Sequence, residues 1–124
     1  MAYLADARDT ATPKAAAALL AKLARGELLS EPTTRVFLDI LAGTRTGSSR
    51  IKAGVPEGST VAHKTGTAMD VLGTGPAVND VGIVTLPGGR QIAVAVFVAG
   101  SDRPPGERER LIATVTRAAI EALQ

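Results

Sequence analysis

Within Thr60-Val61-Ala62-His63-Lys64-Thr65-Gly66-Thr67, one cation, two hydroxyls and a glycine fall inside four consecutive residues. Thr60 and Val61 are β-branched, so the stretch reads as a strand. Side chains alternate across a strand, which puts Lys64 and Gly66 on one face and His63, Thr65 and Thr67 on the other. An ammonium group and hydroxyls can hold an anion, and a glycine lets a ligand or a second backbone approach closely. The same residues also describe an edge strand whose lysine only keeps it soluble. Taken alone, these five residues lean towards that plainer reading.

Little else in the chain offers chemistry. Cysteine is absent, which removes thiolate nucleophiles, disulfides and thiolate metal sites. The single histidine has no carboxylate cluster around it, so no metal site is expected. Gly73-Thr74-Gly75 lacks the strand–turn–helix unit of a dinucleotide fingerprint, and no cofactor is expected. With no tryptophan, one tyrosine and two phenylalanines there is no base-stacking platform. The 14 Lys and Arg against 12 Asp and Glu are scattered, which argues against nucleic acid as a partner. No apolar run approaches the roughly 20 residues of a membrane span. Residues 1–6 carry neither a basic region nor a long apolar one, so no signal peptide is expected there.

The elements that must position the strand are legible around it. The 124 residues, 45% of them hydrophobic, suffice for one domain with a modest core of Ala, Val, Leu and Ile. Thr12-Pro13 starts a helix and Gly26 ends it, with Leu19, Leu20 and Leu23 on an apolar face. Ser30-Glu31-Pro32 starts a second helix, with Val36, Phe37, Ile40 and Leu41 as its apolar positions and Gly43 as its stop. Residues 44–58 form a long connection rich in glycine and hydroxyls, of a length that is often functional. Strands are expected at 59–67, 79–86 and 91–98. A glycine-rich loop at 68–78 and a tight turn at Pro87-Gly88-Gly89-Arg90 join them. The third strand is almost wholly apolar and reads as central, covered on both faces. A last helix from about Gly106 to Leu123 should bury Leu111, Val115, Ala119 and Ala122. The expected class is α+β, a helix pair followed by a three-stranded antiparallel sheet with a C-terminal helix packed on it. Residues 1–58 form a helical part and 59–124 the sheet and last helix.

Read together, His63-Lys64-Thr65-Gly66-Thr67, Asn79-Asp80-Val81-Gly82-Ile83-Val84, Leu86-Pro87-Gly88-Gly89-Arg90 and Ala93-Val94-Ala95-Val96-Phe97-Val98 resemble the class A serine beta-lactamases. Arg8-Asp9-Thr10-Ala11-Thr12-Pro13 looks like the end of that family's omega loop. Gly26-Glu27-Leu28-Leu29-Ser30 and Ile51-Lys52-Ala53-Gly54-Val55-Pro56-Glu57-Gly58 agree as well. The resemblance covers essentially the whole chain but only the C-terminal part of the family's fold. The family's Ser-x-x-Lys, Ser-Asp-Asn and omega-loop glutamate have no counterpart in place. Ser49-Arg50-Ile51-Lys52 fits Ser-x-x-Lys by letters, yet it lies in a glycine-flanked loop and is not read as the nucleophile.

The resemblance implies hydrolysis of beta-lactams through an acyl-serine, and so antibiotic resistance, with this chain inactive alone. Lys64 would be the fixed positive charge and the Thr67 backbone N–H an oxyanion donor, the two catalytic contributions. Thr65, Gly66, Thr67 and Arg50 would bind the substrate carboxylate. His63 and Asp80 would be structural. A periplasmic or secreted parent is implied. A penicillin-binding transpeptidase or carboxypeptidase shares Lys-Thr-Gly and stands as a neighbouring reading. The other alternative is a non-catalytic module: a sheet missing two strands exposes an edge, which predicts self-association or pairing with a missing N-terminal half.

Overall fold

A computed structural model describes residues 7–124, and the reading of residues 1–6 lies outside them. A 3-10 turn at Ala7–Asp9 leads into helix α1 (Pro13–Ala24) and helix α2 (Glu31–Ala42). Thr12 caps α1 by accepting the Ala15 N–H at 3.1 Å, and Pro13 occupies the first turn, where its missing N–H costs nothing. Gly26, at φ 71°, closes α1: its N–H donates to Leu23 O and that of Glu27 to Lys22 O, both at 3.0 Å. Ser30 caps α2 through the Thr33 N–H.

The long connection is not wholly irregular. Its middle winds into one helical turn, α3 (Ile51–Gly54), because Ile51 is apolar enough to be drawn fully inside. Gly54 is required there: a Cβ would lie 2.3 Å from the Ala113 carbonyl oxygen of helix α4 (Pro105–Ala122).

Three antiparallel strands follow in the order β1-β2-β3, with β1 at Thr60–Thr67, β2 at Gly75–Thr85 and β3 at Gln91–Ser101. Strand β2 starts four residues before the expected Asn79. The cause is β3, which runs on to Ser101 and pairs it with Gly75, so the loop shrinks to 68–74. The turn after β2 is as expected, with Gly88 and Gly89 both at positive φ and Leu86 bonded to Arg90.

Helices α1 and α2 cover one face of the sheet, α3 and α4 the other. Ile51, Val61, Val84, Val94, Val96, Ile112 and Ile120 belong to the larger core on the α4 side. Leu23, Leu41 and Ile83, with Leu20, Leu38 and Ala62, fill the smaller one.

Three expectations need correction. Strand β3 is covered on both faces, but among the described residues it is an edge strand, since nothing pairs with it opposite β2. On α4 the buried positions are Arg108, Ile112, Ala113, Thr116 and Ile120, while Leu111, Val115, Ala119 and Ala122 are exposed. On α2, Val36, Phe37 and Ile40 are exposed, and Thr34 and Leu41 face in. Both helices are apolar on two sides, so periodicity alone could not choose the inward one. No helix among the described residues is long and apolar enough to cross a membrane.

Candidate functional site

Alternation along β1 holds. His63 is fully buried beneath the strand, Lys64 is exposed on the opposite face, and Thr65 and Thr67 return to the His63 side. There the connection before α3 folds against them. Thr46 Oγ1 meets Thr65 Oγ1 at 2.7 Å. Gly47, at φ 70°, permits this approach, because a Cβ would stand 2.4 Å from Thr65 Cγ2.

Arg50 is the centre of the arrangement. Its side chain is only 7% exposed. Its Nη2 donates to Thr67 Oγ1 at 2.7 Å, Nη1 to the carbonyls of Gly66 and Asn79 at 3.1 and 2.9 Å, and Nε to Glu109 at 3.0 Å. A guanidinium has five N–H groups, so one remains uncommitted. The two-point grip an arginine can offer a carboxylate is therefore not open here. Instead Arg50 occupies one lone pair of Thr67 and leaves the hydroxyl proton available to an anion outside. Glu109 was not foreseen, because a partner 59 residues away on another element leaves no local signal.

Beneath β1, His63 Nδ1 lies 2.8 and 3.0 Å from the two Asp80 oxygens, both side chains fully enclosed. A carboxylate only accepts, so Nδ1 is the donor. Asp80 also accepts the Ile51 N–H at 3.2 Å, which ties α3, and Arg50 before it, to the sheet. Gly82 makes room for the ring: a Cβ there would lie 2.7 Å from His63 Cβ. Thr44 Oγ1 donates to the His63 carbonyl at 2.6 Å, and Lys52 Nζ to the Thr44 carbonyl at 2.8 Å. Lys52 is thus turned to the backbone, and Ser49 is exposed beside it.

Past Thr67, Arg108 holds Asp70 with two hydrogen bonds of 2.7 and 2.9 Å. Those bonds, helped by the guanidinium charge, keep the Asp70 carboxyl below the ordinary aspartate range. Gly75 leaves room for this clasp, since a Cβ there would collide with the Arg108 guanidinium and push it aside. On the other face, Lys64 borders an apolar cavity of about 390 Å³ under α1 and α2, lined among others by Leu23, Phe37 and Leu41.

The structure thus brings Arg50, Thr65 and Thr67 together on one side of the strand, with the Gly66 backbone carbonyl also reaching Arg50, and sets Lys64 on the other. Among the described residues no cluster of His, Asp and Glu could hold a metal.

The family model for the beta-lactamase enzyme family matches residues 1–123. The chain belongs to this family. The carbapenem-hydrolyzing beta-lactamase KPC of Klebsiella oxytoca is 39% identical over 118 residues, 95% of this chain and 39% of that protein. The extended-spectrum beta-lactamase PER-1 of Pseudomonas aeruginosa is 40% identical over 108 residues, 87% of this chain and 35% of that protein. A solved beta-lactamase from Chitinophaga pinensis superposes with TM-score 0.87 at 37% identity, over 92% of this chain and 42% of the other. A class A beta-lactamase from Bacteroides cellulosilyticus gives 0.85 at 29% identity, over 91% and 41%. This class A beta-lactamase chain therefore spans about two fifths of the length of the relatives it matches. Its four helices and three-stranded antiparallel sheet are those of its solved relatives.

Proposed function

We propose that this chain forms the Lys-Thr-Gly wall of a serine beta-lactam hydrolase and does not turn substrate over by itself. The carrying observation is Thr67, exposed, with its oxygen engaged by buried Arg50 and its hydroxyl proton left to bond an anion. In that reading Thr67 and Thr65 receive the carboxylate of a beta-lactam. Arg50 supplies charge through Thr67, and Lys64 raises the local potential. The Thr67 backbone N–H is one of two donors to the oxyanion that forms when a serine from outside these 124 residues attacks the strained amide. One such donor is worth on the order of 3 kcal/mol of barrier. This chemistry goes with a periplasmic or secreted enzyme.

Grafting residues 7–124 in place of the matching segment of the PER-1 relative tests the reading. The chimera should hydrolyse a chromogenic cephalosporin, and the 124-residue chain alone should not. A folded chimera that is never acylated by a fluorescent penicillin would overturn it.

A second reading is favoured by one surface. Val36, Phe37 and Ile40 of α2 and Leu19 of α1 are exposed together with the apolar cavity beside Lys64. A bare apolar helix face of this kind supports association, with a second copy or with a complementary part of the fold. Light scattering checks it, and a monomer at high micromolar concentration counts against it.

A further inference from the structure

Arg50 is gripped at both ends by one dipeptide of β2. Its guanidinium donates to the Asn79 carbonyl at 2.9 Å, and the amide that follows it, Ile51 N–H, donates to Asp80 Oδ2 at 3.2 Å. The sheet register explains the arrangement. Asn79 stands opposite Gly66 and Asp80 opposite Thr65, so the grip lies directly across from the Lys-Thr-Gly segment.

The Asp80 bond has no local substitute. Helix α3 is a single turn, the side chain of Arg50 does not cap it, and the first amides of a helix need partners from outside it. Burial of the Ile51 side chain and the close approach of Gly54 to α4 hold α3 against the core, but neither fixes the rotation of the peptide between Arg50 and Ile51. Asp80 does, because it takes that peptide's N–H. His63 in turn has no other task for its ring. Nε2 meets no hydrogen-bond partner among the described residues, while Nδ1 donates to the two Asp80 oxygens. With that donor gone, one amide would be left to orient the carboxylate.

We propose that His63 and Asp80 are positioning residues for the beta-lactam site: the imidazole orients the Asp80 carboxylate, that carboxylate fixes the peptide after Arg50, and Arg50 then presents the Thr67 hydroxyl to the substrate. The assignment goes beyond a structural role and rests on the carboxylate reading of Thr67. Neither residue touches substrate; both act through a hydroxyl that does. A displaced Arg50 guanidinium weakens substrate capture more than acyl transfer, because Thr67 Oγ1 bonds the substrate carboxylate and not the reacting carbonyl.

The test uses variants of the PER-1 chimera. Asp80→Asn retains one acceptor, His63→Leu removes the donor at similar volume, and His63→Asn keeps a donor near the place of Nδ1. Asp80→Asn and His63→Leu should each raise KM for a chromogenic cephalosporin about tenfold with kcat changed less than about twofold, and His63→Asn should stay within about threefold of the parent. In a Thr67→Val background Asp80→Asn should add less than about twofold, since the group it positions is gone. Fully additive effects, or a loss in kcat with KM unchanged, would overturn the proposal. NMR on the 124-residue chain separates it from the reading it rests on. Exchange of the Arg50 Nε–H, which donates to Glu109, should quicken at least about tenfold in Asp80→Asn and His63→Leu and not in His63→Asn. An unmoved Arg50 signal overturns the positioning role, whatever the kinetics show. A freed Arg50 together with an unchanged kcat/KM in Thr67→Val would instead overturn the carboxylate reading, and the grip on Arg50 would stand.

Discussion

His63 and Asp80 form a fully enclosed pair, Nδ1 to Oδ1 at 2.8 Å, directly beneath the strand that carries Lys64, Thr65 and Thr67. Removing the carboxylate strands both the histidine N–H and the Ile51 amide in a dry interior. Asp80→Ala should therefore cost about 2–3 kcal/mol of stability, and Asp80→Asn less, because an amide oxygen still accepts one N–H. Urea denaturation followed by circular dichroism measures both, and equal stability of all three proteins would show that the pair contributes nothing.

Arg50 and Thr67 should separate structure from chemistry. Arg50→Ala removes four hydrogen bonds, to the carbonyls of Gly66 and Asn79, the Thr67 hydroxyl and Glu109, and opens a hole at an almost fully buried position, so the chain itself should lose about 3 kcal/mol of stability. Thr67→Val keeps the backbone and loses only the hydroxyl. It should leave stability within about 1 kcal/mol but lower kcat/KM of the chimera roughly 10–100-fold, the worth of one hydrogen bond to a charged group. An unchanged kcat/KM would remove the Thr67 hydroxyl from the carboxylate site.

Leu72 is a local weak point. It is 99% exposed and sits at φ 52°, followed by Gly73 at φ 79°, in a two-residue turn between Val71 and Thr74. Turns with two positive φ values favour Asn-Gly. Leu72→Asn should raise unfolding free energy by about 0.5–1 kcal/mol, read from the urea midpoint. A lower midpoint would mean that Leu72 makes a contact outweighing its strained backbone.

The clasp between Arg108 and Asp70 should depend on acid. The folded carboxyl titrates below the ordinary value of 3.8, so its contribution is complete above that value. It is lost as pH falls through the lower folded one. Amide exchange of residues 68–74 should accelerate at acid pH in the parent chain and be fast at every pH in Asp70→Asn. Identical exchange in both proteins at neutral pH would show that the clasp does not hold the loop.

Glycine positions give an internal comparison. Gly54→Ala drives a methyl into the Ala113 backbone, which cannot swing aside, and should cost about 1–3 kcal/mol. Gly106→Ala, at a position with nothing within 4 Å in the first turn of α4, should be neutral or slightly stabilising.

What could be read from the sequence was local. Thr12, Gly26, Ser30 and the Pro87–Arg90 turn act within four residues of themselves, and each does what its side chain or φ dictates. The alternation that buries His63 and exposes Lys64 is equally local. Facing was the failure. Helix α4 has Leu111 and Val115 on one side and Ile112 and Ile120 on another, and only the sheet decides which pair goes in. The start of β2 at Gly75 depends on Ser101 and on Arg108, both far along the chain. Arg50 reads from the sequence as a carboxylate-binding residue, but where its donors go is decided by Glu109, Gly66, Thr67 and Asn79, all remote in the chain.

The order of the elements has a consequence for biosynthesis. Helix α1 packs mainly on β3, which begins about 70 residues after α1 ends. At a synthesis rate of about 5–20 residues per second, the apolar side of α1 waits roughly 4–14 s for its partner. Leu20 and Leu23 meet Leu41 of α2 and Ile83 of β2 sooner, but the β3-facing side of α1 stays open to whatever binds nascent chains until β3 emerges. Ribosome-stalled chains of increasing length, probed by brief proteolysis, should show α1 becoming resistant only once Gln91–Ser101 has left the exit tunnel, and resistance at an earlier length would place its first partner elsewhere.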